Sequence, residues 1–500
     1  MENQKRSRFE LDETNGKVKG INCQHFINGQ FTPSQDGREF KNINPANEKV
    51  LGTVADGGKL EVEYAVNAAK RALDGSWSKK SLQEKSKILR RIGDLIWERK
   101  DELALLESLD TGKPLTIAKK IDIPRAAYHF HFFADYMISL TNTSYQQDDV
   151  ALHYSYRRPV GVVGIINPWN FPLMLLTWQL APCLAMGNTA VIKPSQWTPM
   201  TATVLMEICK EAGLPNGVVN LVHGSGMNPV GEEISKHPEV AAISFIGEHT
   251  SGKAMMKSAA DTLKKLSFEL GGKNPNIIFA DANLDEAVDT TIKSSFVNQG
   301  EVFLSGSRIY VERIIMDEFL NKFIQATEKL IVGNPLQSNT DIGAIISKDH
   351  YENVINYLNT ARNDGGSILI GGKSPENTNK GYYIEPTIIT GLERTSICIK
   401  EEIFGPVVTV TPFDMEEEVI MQANDTHYGL SATIWTENVN RAHRVAQSIQ
   451  AGNIWVNSWF LRDLRTPYGG INQSGIGRTG GMYSLDFYSE LSNITIKLKK

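Results

Sequence analysis

Cysteine is scarce in this chain. Its 500 residues contain only Cys23, Cys183, Cys209 and Cys398, with no C-x-x-C pair and no histidine cluster at ligand spacing. That argues against a disulfide framework and a zinc site, so no metal is expected and a reducing cytoplasm suits the chain. Long apolar runs are also missing. The stretch from Ala181 to Val191 is broken by Gly187 and Asn188, short of the roughly 20 residues a membrane helix needs. The start, Met1-Glu2-Asn3-Gln4-Lys5-Arg6, is charged and has no apolar segment of the kind a secretory signal carries. Positive charge is not in excess either. A net charge of -5 and a pI near 6.1 speak against nucleic acid or an anionic membrane as partner, and the pairs Arg90-Arg91 and Arg157-Arg158 are too short to change that.

What is present is ordinary for a globular chain long enough for two to four domains. Residues 1 to 22 are polar and lack an apolar period, which predicts a flexible extension. Phe26 to Phe31 predicts a hairpin about Asn28-Gly29. Val62, Val66, Ala69 and Leu73 share one helical face, and Ile88, Ile92, Leu95 and Ile96 another. A further helix is predicted near Asp122 to Tyr136, with Arg125 among Ala126, Phe130 and Phe133. Asp149 to Ile166 reads as extended, and Asn493 to Leu498 alternates in the same way, as an exposed strand would.

The middle third reads as repeated strand–helix units. Short apolar strands are predicted at Gly161 to Ile166, Ala190 to Lys193, Gly217 to Val222 and Val240 to Phe245, with helices such as Ala202 to Ala212 between them. That alternation predicts an α/β architecture on a parallel, doubly wound sheet. A second series follows Gly272, with strands near Asn276 to Phe279, Arg308 to Val311, Val407 to Pro412 and Asn453 to Val456.

Several motifs stand at the ends of these strands. Gly164 to Pro172 reads G-I-I-N-P-W-N-F-P; alone it would be a proline-bracketed turn. Val191-Ile192-Lys193-Pro194-Ser195-Gln196 leaves the next strand. Gly247 and Gly252 frame a G-x4-G turn before a helix starting near Lys253, a weak phosphate-loop signal by itself. Leu266 to Pro275 contains E-L-G-G-K-x-P, and Asn298 to Arg308 begins N-Q-G-E-V-F. Glu402 to Val407 reads E-I-F-G-P-V, and Trp459 to Gly470 reads W-F-L-R-D-L-R-T-P-Y-G-G.

In this order and over about Phe26 to Leu498, these motifs resemble the aldehyde dehydrogenase superfamily, closest to its 2-hydroxymuconic and 2-aminomuconic semialdehyde dehydrogenase branch. The resemblance implies an α/β aldehyde dehydrogenase fold. A modified Rossmann cofactor domain would occupy 23–140 and 161–271, a second α/β catalytic domain 272–483, and a small oligomerisation sheet 141–160 with 484–500. It implies that Asn170 meets the aldehyde oxygen and that Glu269 is the general base. Asn167, Trp169, Lys193, Gln196, Gly226, Gly247, Glu248, Gly252, Glu402 and Phe404 would hold the cofactor. Arg125, Trp178, Arg465 and Tyr468 would line the substrate tunnel, with Arg465 gripping a carboxylate and Arg462 spent on a local pair with Asp463. The implied partners are a small carboxylated aldehyde and further copies of the chain, as a homodimer or homotetramer.

Three positions depart from the family pattern. Gln196 stands where glutamate is usual, which turns NAD over NADP into a preference, since glutamine lacks the charge that repels a 2′-phosphate. Glu248 stands where serine is frequent. Phe303 stands where the nucleophilic cysteine is expected, and a benzyl group has no lone pair with which to attack a carbonyl. The sequence therefore predicts NAD-dependent semialdehyde oxidation that is impaired or lost. The alternatives are a non-catalytic NAD-binding oligomer and residual oxidation of the aldehyde hydrate with Glu269 as base.

Overall fold

The computed structural model describes residues 10–12, 17–19, 21–226, 230–376, 378 and 380–499. Its two large sheets are of eight and seven strands. The eight-stranded sheet has a parallel core of five, in the spatial order Lys265–Glu269, Val240–Ile246, Val162–Ile166, Thr189–Lys193, Val219–Leu221. Numbered along the chain that order is 5-4-1-2-3, the doubly wound arrangement in which the winding reverses beside the first strand. The strands are near-continuous apolar runs because helices cover both faces: Val163, Ile165, Ala190, Ile192, Ala242 and Ile243 are fully buried.

The Phe26 hairpin forms as expected and adds to one edge of this sheet, His25–Ile27 pairing with Gln30–Thr32. Asn28 and Gly29 both take positive φ, 52° and 81°, as a two-residue hairpin turn requires. The opposite edge is closed by Gly475–Ile476, antiparallel to the strand that ends in Glu269. Residues from the span 272–483 thus also pair in the first sheet.

The seven-stranded sheet runs Ser367–Ile370, Thr387–Thr390, Val407–Phe413, Arg308–Glu312, Pro275–Ile278, Ser431–Trp435, Asn453–Val456. The four predicted strands are present. Ser367–Ile370, Thr387–Thr390 and Ser431–Trp435 were not anticipated; unlike the other four, none of them adjoins a sequence motif that marks its end.

Helix Leu82–Glu98 starts with a reciprocal cap between Ser81 and Glu84 and buries Leu89, Ile92, Leu95 and Ile96. It packs on Ile123–Tyr136, which packs in turn on Pro172–Ala185, a helix buried on every face. The extended stretch after Asp149 divides at Gly161 (φ 131°). Ala151–Pro159 leaves for a separate three-stranded sheet with Ser144–Gln147 and Ser489–Lys497, while Val162–Ile166 enters the large sheet. Part of the predicted flexible extension is ordered instead: Glu10–Asp12 pairs antiparallel with Lys17–Lys19. Residues 1–9, 13–16 and 20 lie outside the described residues. No helix among the described residues is long and apolar enough to cross a membrane.

Candidate active site

The C-terminal ends of the parallel strands converge where the winding reverses. Register places Ile166 beside Lys193 and Phe245, and Ile246 beside Glu269, so the chain segments that follow emerge along one sheet edge. A cavity of about 510 Å³ opens there, of a size suited to a cofactor. Its walls include Trp169, Asn170, Gly247, Glu248, Glu269, Phe303, Glu402 and Phe404, all expected at the site.

Glycines set its shape. A Cβ on Gly271 would lie 2.0 Å from the Glu402 carboxylate, and the Gly272 amide donates to Glu402 Oε1 at 3.0 Å. The E-L-G-G turn is thus a cradle that brings a glutamate from a distant segment against the strand end. Burial pushes the Glu402 carboxyl up to about 7, with the Gly272 amide and Lys273 opposing. Helix His249–Ala259 starts four residues earlier than the sequence suggested, with Glu248 at its cap. Gly252 therefore lies inside the first turn, where a Cβ would press on Leu270 at 3.0 Å.

Glu269 ends its strand and is 5% exposed. Its Oε1 accepts from Thr479 Oγ1 at 2.5 Å and Trp178 Nε1 at 3.3 Å, while buried Oε2 has no partner among the described residues. Burial pushes this carboxyl above its ordinary range, against the pull of Arg462, Thr479 and Trp178. Asn170 is 2% exposed; its Nδ2 donates to the Glu301 carbonyl at 3.0 Å. Phe303 is half-buried against the apolar cluster that includes Val302, Leu304 and Trp178. The main chain at this position is held independently of the ring, since Asn274 Nδ2 donates to the Phe303 carbonyl at 2.8 Å and to that of Ser305 at 2.9 Å.

The other cofactor candidates divide. Lys193, Gln196 and Gly226 lie off this cavity, along the sheet edge: the Gly226 amide donates to Gln196 Oε1 at 2.5 Å, and burial pushes the Lys193 ammonium down to about 8. Asn167 does not line the cavity. Its Nδ2 donates to the carbonyls of Pro172 at 2.8 Å and Pro168 at 3.2 Å, so it shapes the loop that presents Trp169 and Asn170.

Beyond Glu269 the two loop arginines exchange the places expected of them. Arg465 is exposed and its guanidinium is spent on Asp463, with Nη2 to Oδ2 at 2.6 Å and Nε to Oδ1 at 3.0 Å. Arg462 turns inward, its guanidinium 4.2 Å from the Trp178 ring centre and 3.8 Å from that of Tyr468. Arg462 Nε and Nη2 and the Tyr468 hydroxyl are buried without hydrogen-bond partners among the described residues. Burial pushes Arg462 down to about 10, with Tyr468 and Glu269 opposing and Arg125 adding, so it stays cationic at neutral pH. Arg125 is half-buried, 5.9 Å from the Tyr128 ring centre, and has no salt bridge among the described residues.

The aldehyde dehydrogenase family pattern matches residues 31–494. The chain belongs to this family. It is 48% identical over 482 residues to the 2-hydroxymuconic semialdehyde dehydrogenase of Pseudomonas sp. (strain CF600), covering 95% of this chain and 99% of that one. It is 46% identical to the 2-aminomuconic semialdehyde dehydrogenase of Bos taurus, covering 95% and 98%. The solved NAD+ complex of an aldehyde dehydrogenase from Bacillus cereus superposes with a TM-score of 0.93 at 37% identity, covering 96% and 97%.

For an aldehyde dehydrogenase family chain, some wall residues carried no signal in the sequence. His350 donates from Nε2 to the Phe404 carbonyl at 2.7 Å and stands edge-on to Trp169 at 5.5 Å, which places it in the cavity wall. It comes from the first turn of helix Lys348–Asn363, far from every motif. Tyr357 and Tyr428 reach the same wall from equally unmarked places, and Glu401 from the position just before the E-I-F-G-P-V motif. Thr479 was missed because a lone threonine after G-R gives no hint that it orients a carboxylate.

Proposed function

We propose that this chain binds NAD and an aldehyde bearing a distal carboxylate, of the muconic semialdehyde type, and that Phe303 removes the covalent route of its oxidation. One observation carries the substrate class: Arg462 Nε, Arg462 Nη2 and Tyr468 Oη are buried donors without partners, beside Glu269. Buried polar groups are nearly always satisfied, so three converging orphans call for a ligand, and an acidic group fits the charge. The names of the relatives agree with that reading.

The residues present suit the cofactor. The Gly271 cradle would present Glu402 to a ribose hydroxyl, the Gly247 turn in the cavity wall would face a diphosphate, and Lys193 with Gln196 would offer a donor and acceptor to the second ribose. Bound there, NAD supplies the hydride acceptor. Asn170 would donate to the aldehyde oxygen as charge gathers on it. Glu269 would take a proton from water, its unpartnered Oε2 being the free acceptor. Phe303 can neither attack the carbonyl nor hold a thiohemiacetal. The three-stranded sheet, with Tyr145, Tyr156, Leu491 and Ile496 exposed, is the surface through which copies would associate.

Calorimetry tests the cofactor half. NAD should bind the unmodified chain, and no heat at millimolar NAD would defeat the reading. Gln196→Glu should raise the ratio of NAD to NADP affinity by about tenfold, roughly the worth of one charge-assisted contact; an unchanged ratio would remove Gln196 from the ribose. Glu402 adds a pH signature. Its carboxyl is raised to about 7, and only the ionised form is a full acceptor for ribose hydroxyls. NAD affinity should therefore be complete above pH 7 and fall as pH drops through it, and Glu402→Gln should flatten the profile.

A further inference from the structure

Behind the Asn170 loop lies an ion pair cut off from solvent. The Lys113 and Asp122 side chains are both 0% exposed, with Nζ donating to Asp122 Oδ2 at 2.5 Å. The same Nζ donates to the main-chain carbonyl of Asn170 at 2.8 Å and sits 4.1 Å from the Phe171 ring centre. A buried ion pair is a poor device for stability alone, because desolvation of both charges offsets most of their attraction.

Its position explains it better than its strength. Asp122 closes a π-helical turn, Ala118–Asp122, that leads straight into helix Ile123–Tyr136, the carrier of Arg125. Such turns break the regular helix and recur at functional sites. The Asn170 carbonyl accepts a second bond from Asn298 Nδ2 at 3.2 Å, tying it to the loop that bears Phe303. Three residues on, the chain is held again: the Leu173 amide donates to Glu107 Oε1 at 3.1 Å. Lys113 thus ties the Asn170 loop to the turn that opens the tunnel helix, and Asn298 adds the N-Q-G loop at the same carbonyl.

We infer that Lys113 and Asp122 are positioning residues that fix the main chain of Asn170 to the start of the Arg125 helix. The pair thereby sets the span between the amide that meets the aldehyde oxygen and Arg125 on the tunnel helix. The inference rests on the roles proposed above for Asn170 and the arginines.

Lys113→Met alone strands a buried carboxylate and can fail to fold, so the informative variant is Lys113→Met with Asp122→Leu, which keeps volume and removes both charges. Two measurements apply. In the chain as it stands, hydrogen exchange of residues 169–175 should quicken at least tenfold, while amides of the seven-stranded sheet keep their rates. In a Phe303→Cys background, kcat on a carboxylated aldehyde should fall at least tenfold, with KM for NAD within twofold of its parent. Unchanged exchange at 169–175, or an equal rise across both sheets, would overturn the inference. So would an unchanged kcat. If Phe303→Cys itself gives no turnover, the proposed function fails, and the exchange measurement alone still decides the role of the pair.

Discussion

Phe303→Cys restores NADH formation, raising kcat on a carboxylated semialdehyde by at least about a thousandfold, or ~4 kcal/mol of barrier. The other residues that the proposed covalent route would use are present. Asn170 lines the cavity, Glu269 is buried with one oxygen free, and Asn274 holds the 303 carbonyl whichever side chain stands there. Exchanging a half-buried ring for a thiol costs on the order of 1–2 kcal/mol of stability, which a chain of this size tolerates. The pH profile should carry the mark of Glu269. Burial holds its carboxyl above the ordinary range, so the base forms later than usual as pH rises and kcat climbs through that raised pKa. Glu269→Gln in the cysteine background should lower kcat by about 10²–10⁴ and remove that limb. Steady-state absorbance of NADH decides the matter, and brisk turnover by the Phe303 chain would overturn the assignment of position 303.

In the same background, Arg462→Ala weakens kcat/KM for carboxylated aldehydes by about 1.5–3 kcal/mol, roughly 10- to 150-fold. An uncharged aldehyde of equal length should lose far less, since it never used the charge. Arg465→Ala should change either substrate little: its side chain is 71% exposed and already paired with Asp463, where solvent screens the charge. Competition between the two variants and the two aldehydes separates the possibilities. Equal losses on both substrates for Arg462→Ala would mean that it only packs Trp178 and Tyr468. A selective loss for Arg465→Ala would return the role to that residue.

The reversal of these arginines illustrates where sequence reasoning stops. In Arg462-Asp463-Leu464-Arg465 either arginine can reach the intervening aspartate, and local spacing does not choose. The choice is made by Leu464 and Tyr468, buried at 2% and 3% exposure, which fix how the loop lies and which arginine faces Trp178. Gly252 likewise reads as a turn residue in sequence, yet it lies in the first turn of the helix that starts at His249, where Leu270, 3.0 Å from the place of a Cβ, leaves little room for a side chain.

By itself the sequence determined the α/β architecture, because apolar runs bounded by glycine and proline specify buried strands through local pattern alone. It also determined that position 303 lacks a nucleophile, which is a matter of side-chain chemistry and needs no coordinates. Only the tertiary structure decided that Glu402 rests in the Gly271 cradle, that His350 and Thr479 belong to the site, and that Lys113 reaches the Asn170 carbonyl. Those contacts join residues from 54 to 210 positions apart. Which side chains meet over such separations is set by how two sheets and their helices pack, and no short-range period carries that information.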